Sequence, residues 1–238
     1  MNPADVARDE ARRMAAVLRE LAADHQSWGQ ATLAADVPGS WVDYAAGWEQ
    51  GPVDELLAFY ASRGRPAQVQ VTPYHPNAKD FDGFEVYDLD TVLVHTLEHT
   101  APPEPRFGFP EPSPEDFRDT QMRGFFGDEP PHGMLAITEA VAAHPRTHTM
   151  LVEHQGRVVG SGALEVFEDH GCLIAGAVFE EARRQGAQTA LIRHRLCLAR
   201  ALGLRYVTIA SDPGGPTERN ALRQGFTVAL HQFRLRLG

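Results

Sequence analysis

Apolar and polar positions alternate along the chain in two rhythms, and the switches between them predict its elements. From Asn2 to Ala23, residues Val6, Ala7, Met14, Val17, Leu18 and Leu21 recur at helical spacing. Val53 to Ser62 (VDELLAFYAS) predicts a second helix, closed by Arg63-Gly64. Ala67 to Thr72 (AQVQVT) then alternates as a strand and Pro73 ends it; Thr91 to Leu97, after Gly83-Phe84, is another strand. Ser113-Pro114-Glu115-Asp116 opens a helix to about Phe126, with Ser113 able to cap, Pro114 at the first helical position and Asp116 three residues on. A further helix is predicted from His132 to Ala143.

From Thr149 the rhythm becomes regular. Thr149 to His154 and Arg157 to Phe167 read as strands about a Gln155-Gly156 turn. Cys172 to Phe179 is nearly all apolar, as in a strand buried on both faces. After the loop Arg183 to Gln188, a helix runs from Thr189 to Leu202 and stops at Gly203. Leu191, Ile192, Leu196, Leu198, Ala199 and Leu202 share its apolar arc, with Arg193, His194 and Arg200 opposite. Arg205 to Ser211 is a strand, Pro216 to Gln224 a short helix and Phe226 to Leu237 a last strand.

These elements describe an α/β chain in two parts. Residues 101–113 carry five prolines, which block helix continuation, so 1–100 and 114–238 are expected as domains with 101–113 as connector. With 43% apolar and 23% charged residues the chain has a soluble balance, and no apolar run approaches the ~18 residues of a membrane span. Met1 to Glu20 has no apolar stretch of the export type, and two cysteines build neither a disulfide framework nor a four-ligand zinc site, so a reducing cytoplasm is expected. The net charge of −10 argues against general nucleic-acid binding. Residues 1–100 hold 7 basic and 16 acidic side chains, whereas 183–238 hold 10 arginines against Asp212 and Glu218. That cationic end is a candidate for holding a small anion, or is a solvated arginine face. Lys79, the one lysine, stands in a polar loop-like stretch, which removes a phosphate loop of the Gly-Lys-Ser/Thr type and leaves little room for Schiff-base chemistry.

From Cys172 to Leu202 the order is buried strand, cationic glycine-containing loop, amphipathic helix. The first helical amides lack intrahelical acceptors, the helix dipole adds partial positive charge, Gly186 permits close backbone approach, and Arg183 and Arg184 add full charges. A pyrophosphate fits such a place; so does an ordinary strand-to-helix turn.

Arg183-Arg184-Gln185-Gly186-Ala187-Gln188 resembles the acyl-CoA loop of the GCN5-related N-acetyltransferase (GNAT) superfamily, Gln/Arg-x-x-Gly-x-Gly/Ala, departing from it at Gln188. Thr217-Glu218-Arg219-Asn220, followed by Gly225-Phe226, is similar to that family's Ser-x-Arg-Asn…Gly-Phe segment. The resemblance covers about residues 114–238. It implies a GNAT acyl-CoA N-acyltransferase fold, a mixed sheet splayed between the strands Cys172–Phe179 and Arg205–Ser211. It also implies acetyl-CoA as cosubstrate. By position, Ala177 and Val178 would face pantetheine, Arg183, Arg184, Gln185, Gly186, Ala187, Gln188 and Thr189 the pyrophosphate, and Asn220 the CoA arm. Residues 1–100 repeat the helix–strand–Gly-Phe–strand order without an Arg-x-x-Gly loop, and read as a degenerate GNAT-like half. Its acidity could line a groove for a cationic amine, or the half could bind another protein.

Acetyl transfer to a primary amine needs a carboxylate to take the ammonium proton, and Glu165, Glu168 and Asp169 are candidates, with Glu165 favoured. The position of the family's usual tyrosine acid is Ala221. The expected function is an acetyl-CoA-dependent N-acetyltransferase acting on a small amine in a ternary complex; the alternative is a non-catalytic CoA-binding or ligand-sensing module. Exposed strand edges are compatible with a homodimer. Other motifs carry less. His95-Thr96-Leu97-Glu98-His99 has zinc-protease spacing but ends a strand, so no metal is expected there. Cys172 and Cys197 read as core, as do Trp28, Trp41 and Trp48, and Gly160-Ser161-Gly162 lacks the spacing of a serine-hydrolase turn.

Overall fold

The opening helix, α1 (Pro3–Leu21), begins where the Asn2 side chain accepts a hydrogen bond from the Ala4 amide, 3.1 Å, and Pro3 needs no acceptor. In this computed structural model, which describes residues 1–35, 42–48, 52–75, 81–127, 129, 131 and 133–237, it is followed by β1 (His25–Trp28), β2 (Ala31–Ala34), β3 (Ala45–Ala46), α2 (Val53–Ala61) and β4 (Gln68–Val71). Then come β5 (Phe84–His95), β6 (Phe107–Gly108), α3 (Pro114–Phe126), α4 (Met134–Ala143), β7 (Thr147–His154), β8 (Arg157–Phe167) and β9 (His170–Val178). A 3-10 turn at Glu180–Ala182 leads to α5 (Ala187–Ala201), β10 (Tyr206–Ser211), α6 (Pro216–Arg223) and β11 (Thr227–Leu237). Lys79, Trp41 and His132 lie outside the described residues.

The chain falls into two compact units, Met1–Val92 with Ala229–Gly238, and Leu93–Val228. They part within β5 and β11, and the proline-rich stretch 101–113 lies inside the second unit, where Phe107–Gly108 pairs antiparallel with β7. The reason is chemical. β11 returns to the first unit, pairing antiparallel with β4 from Phe233↔Val71 to Arg236↔Gln68. Its Arg234 donates to Asp88, 2.7 Å, and Gln70 donates to its Gln232, 2.9 Å.

In the first unit the strands lie in the order β1-β2-β3-β4-β11-β5. Leu33, Leu56, Tyr60 and Val69 form its core, with Leu235 and Leu237 of β11 packed against them. Tyr60 is buried and donates its hydroxyl to Ala34 O, 2.8 Å. The short strands β1, β2 and β3 are the elements the sequence pattern did not predict. β1 is the polar run His25-Gln26-Ser27-Trp28, β2 and β3 are rich in alanine, and segments of two to four residues with so few β-branched side chains are too brief to show an alternation.

In the second unit the order is β10-β9-β8-β7-β6, antiparallel except for the parallel pair β9–β10 that α5 connects. Leu164, Ile192, Leu196 and Val207 fill the space between sheet and α5. Ser113 caps α3 as expected, accepting from the Asp116 amide, 3.1 Å, and donating to the Asp116 carboxylate, 2.7 Å.

Removing Ala229–Gly238 is expected to unfold the first unit, because it uncovers the β4 edge and one wall of the Leu33–Leu56–Val69 core. The measurement is near-ultraviolet circular dichroism of the Trp28–Trp48 pair, whose ring centroids stand 6.1 Å apart, and that signal should collapse.

Candidate active site

The second unit contains a break in an otherwise regular sheet. On β8, Ser161 and Ala163 are two residues apart, but their partners on β9, Ala177 and Ile174, are three apart. β9 therefore carries one extra residue, and Ala175 takes it up with φ +56°. Small residues make room for the distortion: a Cβ on Gly160 would lie 2.2 Å from Ala177 O, and one on Gly162 would lie 2.8 Å from Leu191. The Gly160-Ser161-Gly162 motif is thus a packing device.

Shortly before this bulge β9 loses its other neighbour. Its parallel register with β10 comprises Tyr206↔His170, Val207↔Gly171 and Thr208↔Cys172, and goes no further. From Leu173 to Val178 on one side and Ile209 to Ser211 on the other, the two strands stand apart as a wedge. The Phe179 amide donates to Val159 O, 2.9 Å, so by alternation the Val178 amide and carbonyl point away from β8, toward the wedge. Among the described residues, the Arg183 side chain approaches that carbonyl, with Nε 3.4 Å away.

The strand feeds a loop whose conformation exposes amides. Arg184 has φ +64° and Gly186 φ +90°, and α5 starts at Ala187 with no side-chain cap. The first amide to close a helical bond is that of Ala190, onto Gly186 O at 2.9 Å, which leaves those of Ala187, Gln188 and Thr189 ahead of it. Arg183, Arg184 and Gln185 are exposed around this helix start. Arg106 adds a third cation: it donates to Gln185 O, 3.0 Å, and lies 3.2 Å from where a Cβ on Gly186 would stand. Together these groups make a cationic cradle of unpaired N–H groups at the mouth of the wedge.

Residues 114–226 match the family model described as the acetyltransferase (GNAT) family. This segment is a GNAT acetyltransferase domain. A GCN5-related N-acetyltransferase from Kribbella flavida superposes with a TM-score of 0.67 over 95% of this chain and 95% of its own, at 15% identity. A second, from Sphaerobacter thermophilus, gives 0.60 over 77% of this chain and 65% of its own, at 19% identity. A tandem GNAT protein from the clavulanic acid biosynthesis pathway gives 0.63 over 100% and 97%, at 12% identity. The whole chain therefore has the mixed-sheet α/β GNAT fold found in tandem members. Among curated proteins, none matches it in sequence.

Within the GNAT domain, the loop Arg183–Thr189 and the strand end Ala177–Val178 come together as one continuous turn of chain. Asn220 stands on α6, half-buried, its side-chain oxygen accepting from Arg223, 3.0 Å. Glu165 is 4% exposed, opposite Cys172 on β8, with Oε1 3.7 Å from Arg146. Glu168 and Asp169 form the exposed turn between β8 and β9, where Asp169 pairs with Arg205, 2.9 Å. Ala221 is wholly buried in the core. His95 ends β5 and packs its ring on Phe226, where burial pushes its pKa down.

The arginines of the cationic end do not all serve the loop. Arg193 donates to Gln224 and Arg205 to Asp169, at 2.7 and 3.3 Å. Two residues that sequence reasoning missed matter here. Arg106 sits in the proline-rich stretch, where nothing announces its neighbour. Arg195 left a signal: it lies among Leu191, Ile192, Leu196 and Ala199 in the middle of the apolar arc of α5, and is 0% exposed.

Helix α3 rests on the bulged end of β9 through Gly124, where a Cβ would come within 2.6 Å of the Ala177 Cβ. Gly124→Ala is expected to destabilise the domain by about 1–3 kcal/mol through overpacking. Urea unfolding should show a lower midpoint with an unchanged slope.

Proposed function

We propose that the chain is an acetyl-CoA-dependent N-acetyltransferase that acetylates a primary amine of a small-molecule acceptor by direct attack in a ternary complex. The observation that carries this is the wedge beyond Thr208↔Cys172, lying beside a helix start whose amides are unpaired. The residues fit the cosubstrate. A pantetheine arm is an amide chain, and the outward Val178 amide and carbonyl offer it the pairing that β10 withholds, with Ala177 beside it. The Arg183 amide bonds Glu180 O, 3.2 Å, and the amides from Arg184 to Thr189 suit a diphosphate, since neither Gly186 nor Ala187 brings a polar side chain to obstruct it, and Gln188 leaves its own amide to donate. Arg183, Arg184 and Gln185 surround that position, and Asn220 serves the CoA arm.

Acetyl-CoA supplies an activated acyl group. The protein's part is to orient it, to offer amides at the bulge to the negative charge that develops on the acyl oxygen, and to receive a proton from the amine. Glu165 is assigned the proton, through water. Ala221 leaves no side-chain acid at the usual place, so water protonates the departing thiolate. No helix among the described residues is long and apolar enough to cross a membrane. Free Cys172 and Cys197 are in keeping with a reducing cytoplasm, which we assign to the protein together with a small-molecule acceptor, no nucleic-acid partner and strand edges compatible with a homodimer. The buried Ala221 also favours a second reading, a CoA-binding or ligand-sensing module without turnover.

Calorimetric titration of acetyl-CoA should show binding by the wild type and at least a ~10-fold weaker affinity for Gly186→Glu, which places a carboxylate at a helix start and a Cβ at φ +90°. Equal affinities, or no wild-type binding, reject the proposal. Thiol release across amines, amino acids, polyamines and aminoglycosides then separates the two readings: robust turnover with any of them excludes the sensor.

A further inference from the structure

Arg195 is the most unusual residue of the second unit. Its guanidinium is fully buried, yet every group it bonds is a neutral carbonyl: Nη1 donates to Ala163 O, 3.2 Å, and to Ile174 O, 3.0 Å, and Nε to Leu191 O on its own helix, 3.2 Å. Nη2 has no hydrogen-bond partner among the described residues. Burial pushes its pKa down to about 10, which leaves it a cation at neutral pH. A buried charge without a counter-charge is costly, and a leucine would suit an arc otherwise made of Leu191, Ile192, Leu196 and Ala199.

The bonds show what the cation does. Ala163 and Ile174 are the facing pair immediately before the bulge, where the extra residue of β9 interrupts the ladder. One nitrogen bridges both carbonyls and holds the strands together as β9 kinks. The guanidinium lies against the bulge itself: a Cβ on Gly176 would sit 3.3 Å from Nη2 and 3.7 Å from Nη1. A full charge on the Ile174 carbonyl polarises the Ile174–Ala175 peptide and strengthens its N–H as a donor, and in dry surroundings that field is poorly screened.

We propose that Arg195 is a positioning residue for acyl transfer: it fixes the β9 bulge and charges the peptide groups there, so that they polarise the acyl carbonyl. This rests on the acetyl-CoA reading above. It extends that reading from the backbone of β9 to a side chain that does not touch the substrate.

The test uses the full chain, with acetyl-CoA labelled at the acyl carbonyl with carbon-13, and the variants Arg195→Lys and Arg195→Met. Isotope-edited infrared spectroscopy reads the carbonyl stretch of the bound thioester, and calorimetry reads the affinity for free CoA. The wild type should lower the stretching frequency. Arg195→Met should lose most of that shift, Arg195→Lys should keep an intermediate part of it, and affinity for free CoA should stay within about threefold in both, because the loop amides are untouched. With a turned-over amine, kcat should fall roughly 100-fold in Arg195→Met while KM for acetyl-CoA holds. An unmoved carbonyl frequency in a folded variant overturns the role of Arg195 alone; failure of the wild type to bind acetyl-CoA overturns the transferase reading. If Arg195→Met does not fold, Arg195→Lys decides by the same frequency.

Discussion

The ladder between β8 and β9 is interrupted at Ala175, and a buried guanidinium bonds carbonyls of both strands beside the interruption. Arg195 reaches from α5 to the carbonyls of the pair that flanks the bulge, Ala163 O and Ile174 O. Buried carbonyls need donors, and water cannot reach these. Several features of the domain follow from this contact. With the bulge in place β9 veers from β10 after Cys172, and Val178 turns its amide and carbonyl to an open edge. Gly176, Gly160 and Gly162 are glycines because the guanidinium, a strand carbonyl and Leu191 fill the places of their side chains.

The second constraint is where the helix begins. α5 has no capping side chain, so its first amides face outward where β9 delivers the chain. Left-handed backbone at Arg184 and Gly186 keeps the loop short, and Arg106, Arg183 and Arg184 surround it with cations. A wedge edged by the Val178 amide and carbonyl thus runs into a loop of uncapped helical amides and arginines. On the proposed reading this is the geometry that receives an acyl-CoA, and it arises mostly from backbone. That explains how Gln188 can replace a small residue without removing a donor.

Much of this was legible in the sequence. Long elements with strong periodicity came through within a few residues, α1, α3, β8 and α5 among them. The loop ahead of α5 stood out because arginines and a glycine crowd one short segment between a buried strand and a helix. What escaped were the short strands β1 to β3, and β6 within the prolines. Each is defined by its partner rather than by its own residues. The proline stretch looked like a boundary because proline interrupts helices, but the chain's compact units part inside β5 and β11, whose two ends carry side chains for different cores.

By itself the sequence determined the order of helices and strands, the α/β class, the loop suited to an anion and the absence of a tyrosine at Ala221, because these depend on residues near one another in the chain. Only the tertiary structure decided that β11 completes the first unit, that Arg106 reaches Gln185 across 79 positions, and that an arginine in the apolar arc of α5 braces a broken strand pair. Those are encounters between distant segments. A linear pattern records what each residue prefers, whereas a buried cation is tolerated only where folding brings it the carbonyls to bind.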